Sequence, residues 1–205
     1  MSTSTRKRPG AAKTTPTRKT AAKTTARTTP AKRPAVKAPR TLADLMAQAY
    51  ALEREAVERY SEFADAMEMH NNREVAAMFR TMAQYEAKHA QQILDEMGWT
   101  EPPPPPAGGF QWLAFEAPET TPIDEVHYLM QPWHALQLAL AAEQRAEAFF
   151  GELARAATTE AVRKAARQMQ AEEREHVELV KAWMKKVPKP ERNWAIDPDP
   201  PRYTD

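Results

Sequence analysis

Between Leu42 and Trp183 apolar residues recur at intervals of three and four, the period of a helix that buries one face. Leu45, Ala49, Leu52, Ala56, Tyr60, Phe63, Ala64 and Met67 form a first stripe, opened by Thr41 as a cap with Asp44 three residues on. His70-Asn71-Asn72 reads as a tight turn. A second stripe of Val75, Phe79, Met82, Ile93 and Met97 then runs to Gly98, which suits a helix stop. Two helices of similar length across a short turn predict an antiparallel hairpin.

Residues 99–121 break the period. Pro102 to Pro106 cannot continue a helix, so a long crossover is expected here. Thr121-Pro122-Ile123-Asp124 resembles a helix start, and Pro132 demands a kink or a fresh start near Trp133. Trp133, Leu136, Leu140, Phe150, Ala154 and Ala157 make the third stripe. Thr158 or Thr159 caps a fourth, with Val162, Met169, Val180 and Trp183, ending before Pro188. His70, His127 and His134 fall in the turn or the crossover and are read as non-ligands. Residues 188–205 lack periodicity and are expected as an extended tail. The fold class is all-α: hairpins at 41–98 and 122–187, joined by the crossover 99–121 into one four-helix bundle.

Each stripe is interrupted by residues that do not belong in a core. Glu53 lies within the first, Glu86 and His89 within the second, Glu143 and Glu147 within the third, and Glu173 and His176 within the fourth. Glu86-Ala87-Lys88-His89 and Glu173-Arg174-Glu175-His176 each place a carboxylate and an imidazole on one helical face. Each pair also follows a lone carboxylate at a matching distance upstream, so the chain reads as a degenerate repeat of two hairpins. Four carboxylates facing one interior would repel each other and resist desolvation. Two divalent cations remove that conflict. Each His can hold one ion, and a hard oxygen set with one imidazole per ion fits two Fe or two Mn ions, while affinity order alone leaves zinc and copper open.

The chain has no cysteine. Disulfides, thiolate zinc sites, iron–sulfur clusters and rubredoxin-type iron are thereby excluded from these residues.

Leu52-Glu53-Arg54-Glu55-Ala56 through Tyr60 and Phe63-Ala64, then Phe79 through Tyr85-Glu86-Ala87-Lys88-His89-Ala90, carry a resemblance. A second copy lies in Ala142-Glu143 through Phe150 and Glu173-Arg174-Glu175-His176. Over residues 41–187 the sequence resembles the ferritin-like superfamily, and more closely its rubrerythrin-type di-iron proteins. The resemblance implies a ferritin-like bundle with Glu53, Glu86, His89, Glu143, Glu173 and His176 as metal ligands. It implies Fe(II) oxidation by dioxygen or hydrogen peroxide, a ferroxidase or peroxidase that protects against oxidative stress. Tyr60 would be the candidate catalytic side chain, by hydrogen bonding or redox near the metals, although a tyrosine there also serves as packing. Rubrerythrins carry an extra carboxylate in the third helix, a part only Glu147 can play here. They also add a cysteine-ligated iron domain that delivers electrons, so this chain would need an external electron donor.

Charge adds a second picture. Of 29 basic residues, 12 lie in residues 1–40 with no acidic one: Arg6, Lys7, Arg8, Lys13, Arg18, Lys19, Lys23, Arg27, Lys32, Arg33, Lys37 and Arg40. The rest of the chain holds 17 basic against 28 acidic side chains. A tail of Lys, Arg, Thr, Pro and Ala cannot bury enough apolar surface to order itself, and its composition resembles histone-like tails. Its spaced cations suit nonspecific contact with a DNA phosphate backbone. Two further readings compete with the enzyme: a nucleoid-associated DNA-binding protein with a structural bundle head, and an iron-storage cage subunit. A homo-oligomer is expected. No apolar run reaches the eighteen or so residues of a membrane span, and no secretory leader is visible, so the expected place is the cytoplasm, at the nucleoid if the tail binds DNA.

Overall fold

The computed structural model describes residues 38–106, 108–112, 117–119, 121 and 126–196. Four helices appear among them: α1 (Leu42–Met69), α2 (Arg73–Met97), α3 (Pro132–Ala156) and α4 (Glu160–Met184). No strand occurs among the described residues. α1 packs along α2 and α3 along α4, and the two hairpins close on each other through α1–α4 and α2–α3.

The ends of the helices follow local chemistry. Thr41 accepts the Asp44 N–H at 3.0 Å and donates its hydroxyl to the Asp44 carboxylate. Asn71 takes a positive φ of 57° to turn the chain, and Asn72 then caps α2 by accepting the Val75 N–H. Gly98, at φ 65°, ends α2 with the Trp99 N–H returning to the Leu94 carbonyl. Thr159 caps α4 through the Val162 N–H.

The helix start expected at Thr121 is not there. Residues 126–131 are non-helical, residues 122–125 lie outside the described ones, and α3 begins at Pro132. Proline has no N–H, and its ring would clash with the carbonyl four residues back, so it opens this helix rather than lying within one. His134 therefore sits in the first turn of α3.

The crossover is tied to the bundle at several points. Gln48 Nε2 donates to the Gln111 carbonyl at 3.0 Å, and Trp112 packs on Phe149 with ring centroids 5.6 Å apart. Arg145 donates from Nε to the Pro118 carbonyl at 2.6 Å, and Asn72 Nδ2 donates to the carbonyls of Tyr128 and Met130. After α4, Val187 and Trp194 pack against the core.

That core comes in two apolar clusters, one at each end of the bundle. One gathers Tyr60, Phe63, Met67, Phe79, Leu136 and Val180. The other gathers Leu45, Leu52, Ile93, Phe149, Phe150, Leu153 and Met169. Each large side chain so buried contributes about 1.5–3 kcal/mol, enough together to offset polar groups placed between them.

Candidate metal centre

What lies between the two clusters is ionisable. α1 passes from Leu52 in one cluster to Ala56 in the other through Glu53, and α2 passes from Ala83 to Ile93 through Glu86 and His89. α3 passes from Ala139 to Phe149 through Glu143, and α4 passes from Met169 to Val180 through Glu173 and His176. The helical period that lines up the apolar stripe also turns these six side chains inward at mid-length.

The two hairpins present near-equivalent arrangements. His89 Nδ1 is 3.3 Å from Glu86 Oε2 and 3.9 Å from Glu53 Oε2. His176 Nδ1 is 3.3 Å from Glu173 Oε2 and 3.4 Å from Glu143 Oε2. All four carboxylates are buried, while the histidine side chains keep 25% and 18% of their exposure, so the imidazoles form the edge of the site nearest solvent. A cavity of about 10 Å³ opens there, bounded by Glu53, His89, Glu173 and His176, with Glu96 and Glu172 toward its mouth. That is room for a water or an ion.

Burial raises the Glu53 carboxyl well above its ordinary range, and the charges of Glu173, Glu86 and Glu143 add to the shift. It raises Glu143 as well, and pushes Glu173 up to about 8 although His176 pulls the other way. For His176 burial opposes the cation, but Glu143 and Glu173 prevail and raise it to about 10. Without cations the site thus retains protons in their place.

The donor set fits a pair of metal ions. Glu53 Oε2, Glu143 Oε2 and both oxygens of Glu173 are buried with no hydrogen-bond partner, the approach of His176 being poorly aligned for one. Buried acceptors without donors are rare and call for an explanation, which a cation supplies. Glu53, Glu86 and His89 could hold one ion and Glu143, Glu173 and His176 the other. Ligand atoms of Glu86, His89 and His176 lie within 4.8 Å of one another, as do those of Glu143, Glu173 and His176. With oxygen and imidazole nitrogen only, iron or manganese suits the set.

Other residues singled out in the sequence fare differently. Tyr60 is buried, stacks on Phe79 with centroids 6.1 Å apart and meets Phe63 edge-on. Burial and the charges of Glu143, Glu86 and Glu119 raise its phenol, which stays protonated. Glu147 is not part of the centre: its Oε1 takes a hydrogen bond from Arg174 Nε at 2.8 Å on the surface between α3 and α4. The inward face of α3 runs through Ala139, Ala142, Ala146 and Phe149, so position 147 falls at its edge. Arg40 is exposed just before the α1 cap. Arg6, Lys7, Arg8, Lys13, Arg18, Lys19, Lys23, Arg27, Lys32, Arg33 and Lys37 lie outside the described residues.

One acidic residue of the site escapes sequence reasoning. Glu119, from the crossover, is buried, and one of its oxygens lies within 4.8 Å of ligand atoms of Glu53 and Glu86. Nothing periodic surrounds it, so no signal in the sequence points there.

A family model described as rubrerythrin matches residues 44–104 and 134–202. Among solved structures, an uncharacterized conserved protein from Magnetospirillum magnetotacticum MS-1 is 37% identical, with a TM-score of 0.54 over 74% of this chain and 98% of the other. No curated protein matches the chain.

Proposed function

The chain belongs to the rubrerythrin family, and from that premise we propose that its bundle binds two iron ions, with manganese as the competing metal, and oxidises Fe(II) with hydrogen peroxide or dioxygen. The observation that carries this reading is the set of buried carboxylate oxygens without hydrogen-bond partners, gathered at mid-bundle with two histidines. Membership of the family supports a di-iron protein in general terms; the peroxidase or ferroxidase role is our inference.

When bound, two ferrous ions supply the two electrons that, with two protons, convert one hydrogen peroxide into two waters. The rest falls to the chain. Glu53, Glu86 and His89 would hold one ion and Glu143, Glu173 and His176 the other, and Glu86, within reach of both histidines, is placed to serve both. On binding, Glu173 and His176 release the protons that burial and mutual charge make them retain. The opening at the histidine edge among the described residues is about 10 Å³, which favours a small oxidant over oxygenation of a larger molecule. Tyr60, buried and kept protonated by burial and by the charges of Glu143 and Glu86, is the phenol we assign to the chemistry of the centre. With no cysteine among the 205 residues, re-reduction draws on an external donor.

The cations of residues 1–40 add a second part to the proposal. The acidic bundle repels a phosphate backbone while the tail attracts it, so the tail tethers the centre to DNA without base readout. Removing Fe(II) and peroxide there limits radical damage to the strand.

The test is the metal content of untagged protein, followed by absorbance after anaerobic Fe(II) loading and addition of peroxide. About two irons per chain and a ferric band on oxidation are expected. Glu86→Ala and His176→Ala should lose the oxidation while keeping helical circular dichroism. Unchanged peroxide turnover in both variants, or no iron uptake by the wild type, overturns the reading.

A further inference from the structure

A further buried carboxylate lies beside the six helical residues. Glu119 comes from the stretch between the hairpins, outside the residues that match the family, and the residue keeps 4% of its exposure. Neither of its oxygens has a hydrogen-bond partner. A carboxylate in that condition stays protonated or meets a cation, because neither water nor a donor solvates it.

Its position is held from outside the site. Arg145 reaches over from α3 with Nε on the Pro118 carbonyl at 2.6 Å and Nη2 on Thr121 Oγ1 at 3.3 Å, bracketing Glu119 on both sides. Ala117 and Thr121 are buried beside it. Backbone outside a helix does not project a side chain into a core by periodicity, so the clamp does that work. One of its oxygens lies within 4.8 Å of ligand-type atoms of Glu53 and Glu86. Glu119 does not line the small cavity at the histidine edge, so it meets the carboxylates from another side.

We propose that Glu119, delivered by the crossover and held by the Arg145 clamp, is a seventh ligand of the metal centre, on the ion held by Glu53 and Glu86. The assignment rests on the reading of the bundle as a two-metal site. It also makes the two halves unequal, since no corresponding carboxylate joins Glu143 and Glu173 among the clusters of the described residues. Charge gives the extra ligand a purpose. Four carboxylates neutralise two divalent ions, whereas five exceed them by one and fall one short of two trivalent ions. Glu119 therefore favours the oxidised pair.

Co(II), which takes oxygen and imidazole ligands and reports coordination number by its visible absorption, separates the possibilities. The full chain, stripped of metal, is titrated as wild type and as Glu119→Gln, which keeps the shape of the side chain and removes its charge. Thermal unfolding of the metal-free variant at or above the wild-type temperature shows that the fold is kept. The expected result is two Co(II) per wild-type chain, one of them bound at least about tenfold more weakly in Glu119→Gln, with stronger visible bands as that ion loses a ligand. Two ions in both proteins with the same affinities and spectra overturn the role of Glu119 and leave the two-metal reading standing. No Co(II) uptake by the wild type overturns both.

Discussion

The rings of His89 and His176 stack across the junction of the two hairpins, with centroids 4.1 Å apart and planes only 8° from parallel. Each turns Nδ1 toward the carboxylates of its own hairpin. The repeat in the sequence thus becomes a pair of half-sites back to back, joined through their histidines.

Metal-free protein is expected to lose stability as pH rises. Glu173 holds its proton up to about pH 8 in the folded chain but releases it near 4.5 when unfolded, so the folded state binds more protons throughout that window. His176, raised from 6.5 to about 10, acts in the same direction at higher pH. Melting temperature measured with chelator present should fall from pH 5 to pH 9, and added Co(II) should reverse the trend. Glu173→Gln should flatten the profile and stabilise the metal-free protein at pH 8 by on the order of 1–3 kcal/mol, about 2–4 °C for each kcal/mol. A metal-free profile that rises with pH would contradict the burial argument.

Glu147 and Glu143 stand one turn apart on α3 and should behave as different kinds of residue. Glu147→Ala breaks a surface ion pair with Arg174, so it should cost less than about 1 kcal/mol and leave metal stoichiometry unchanged. Glu143→Ala removes a buried carboxylate from the His176 half-site and should weaken uptake of one ion. Equal effects on metal binding would refute the distinction.

At the far end of α3, Trp194 covers His134 with ring centroids 3.9 Å apart and meets His127 edge-on. Nδ1 of His134 accepts the Gln131 N–H and Nδ1 of His127 accepts the Leu129 N–H. Burial lowers the His134 imidazole, and nearby His127 adds to the shift. Because the folded value lies below the unfolded 6.5, stability is complete above that pH and declines as pH falls through the window below it. Trp194→Ala should bring the His134 proton NMR titration back toward 6.5 and cost about 1 kcal/mol of aromatic contact. An unmoved titration would show that Trp194 does not bury the ring.

The tail should act alone on nucleic acid. With 12 cations and no acidic residue in residues 1–40, DNA affinity measured by mobility shift should fall by about 10³-fold or more between 50 and 200 mM salt. A chain lacking residues 1–40 should show no affinity at moderate salt. Binding that persists in the truncated chain would place the contact on the bundle instead.

The helices, and the six side chains they bring together at mid-bundle, were legible in the sequence because a regular period carries its own geometry. Once Leu52, Ala56 and Phe63 define an inward face, Glu53 must share it, and the same logic fixes Glu86, His89, Glu143, Glu173 and His176. Where the period weakens, packing decides. α3 buries Ala139 and Ala146, small residues that let the helices approach, instead of the larger Leu140 and Glu147, and this rotation turned Glu147 out to Arg174. Pro132 sets where that helix begins, and Asn72 holds the chain before it through the carbonyls of Tyr128 and Met130. The crossover has no period, so the inward turn of Glu119 depends on hydrogen bonds from Arg145, which comes from another part of the chain. Such a contact belongs to the tertiary structure, and no local pattern of residues could have announced it.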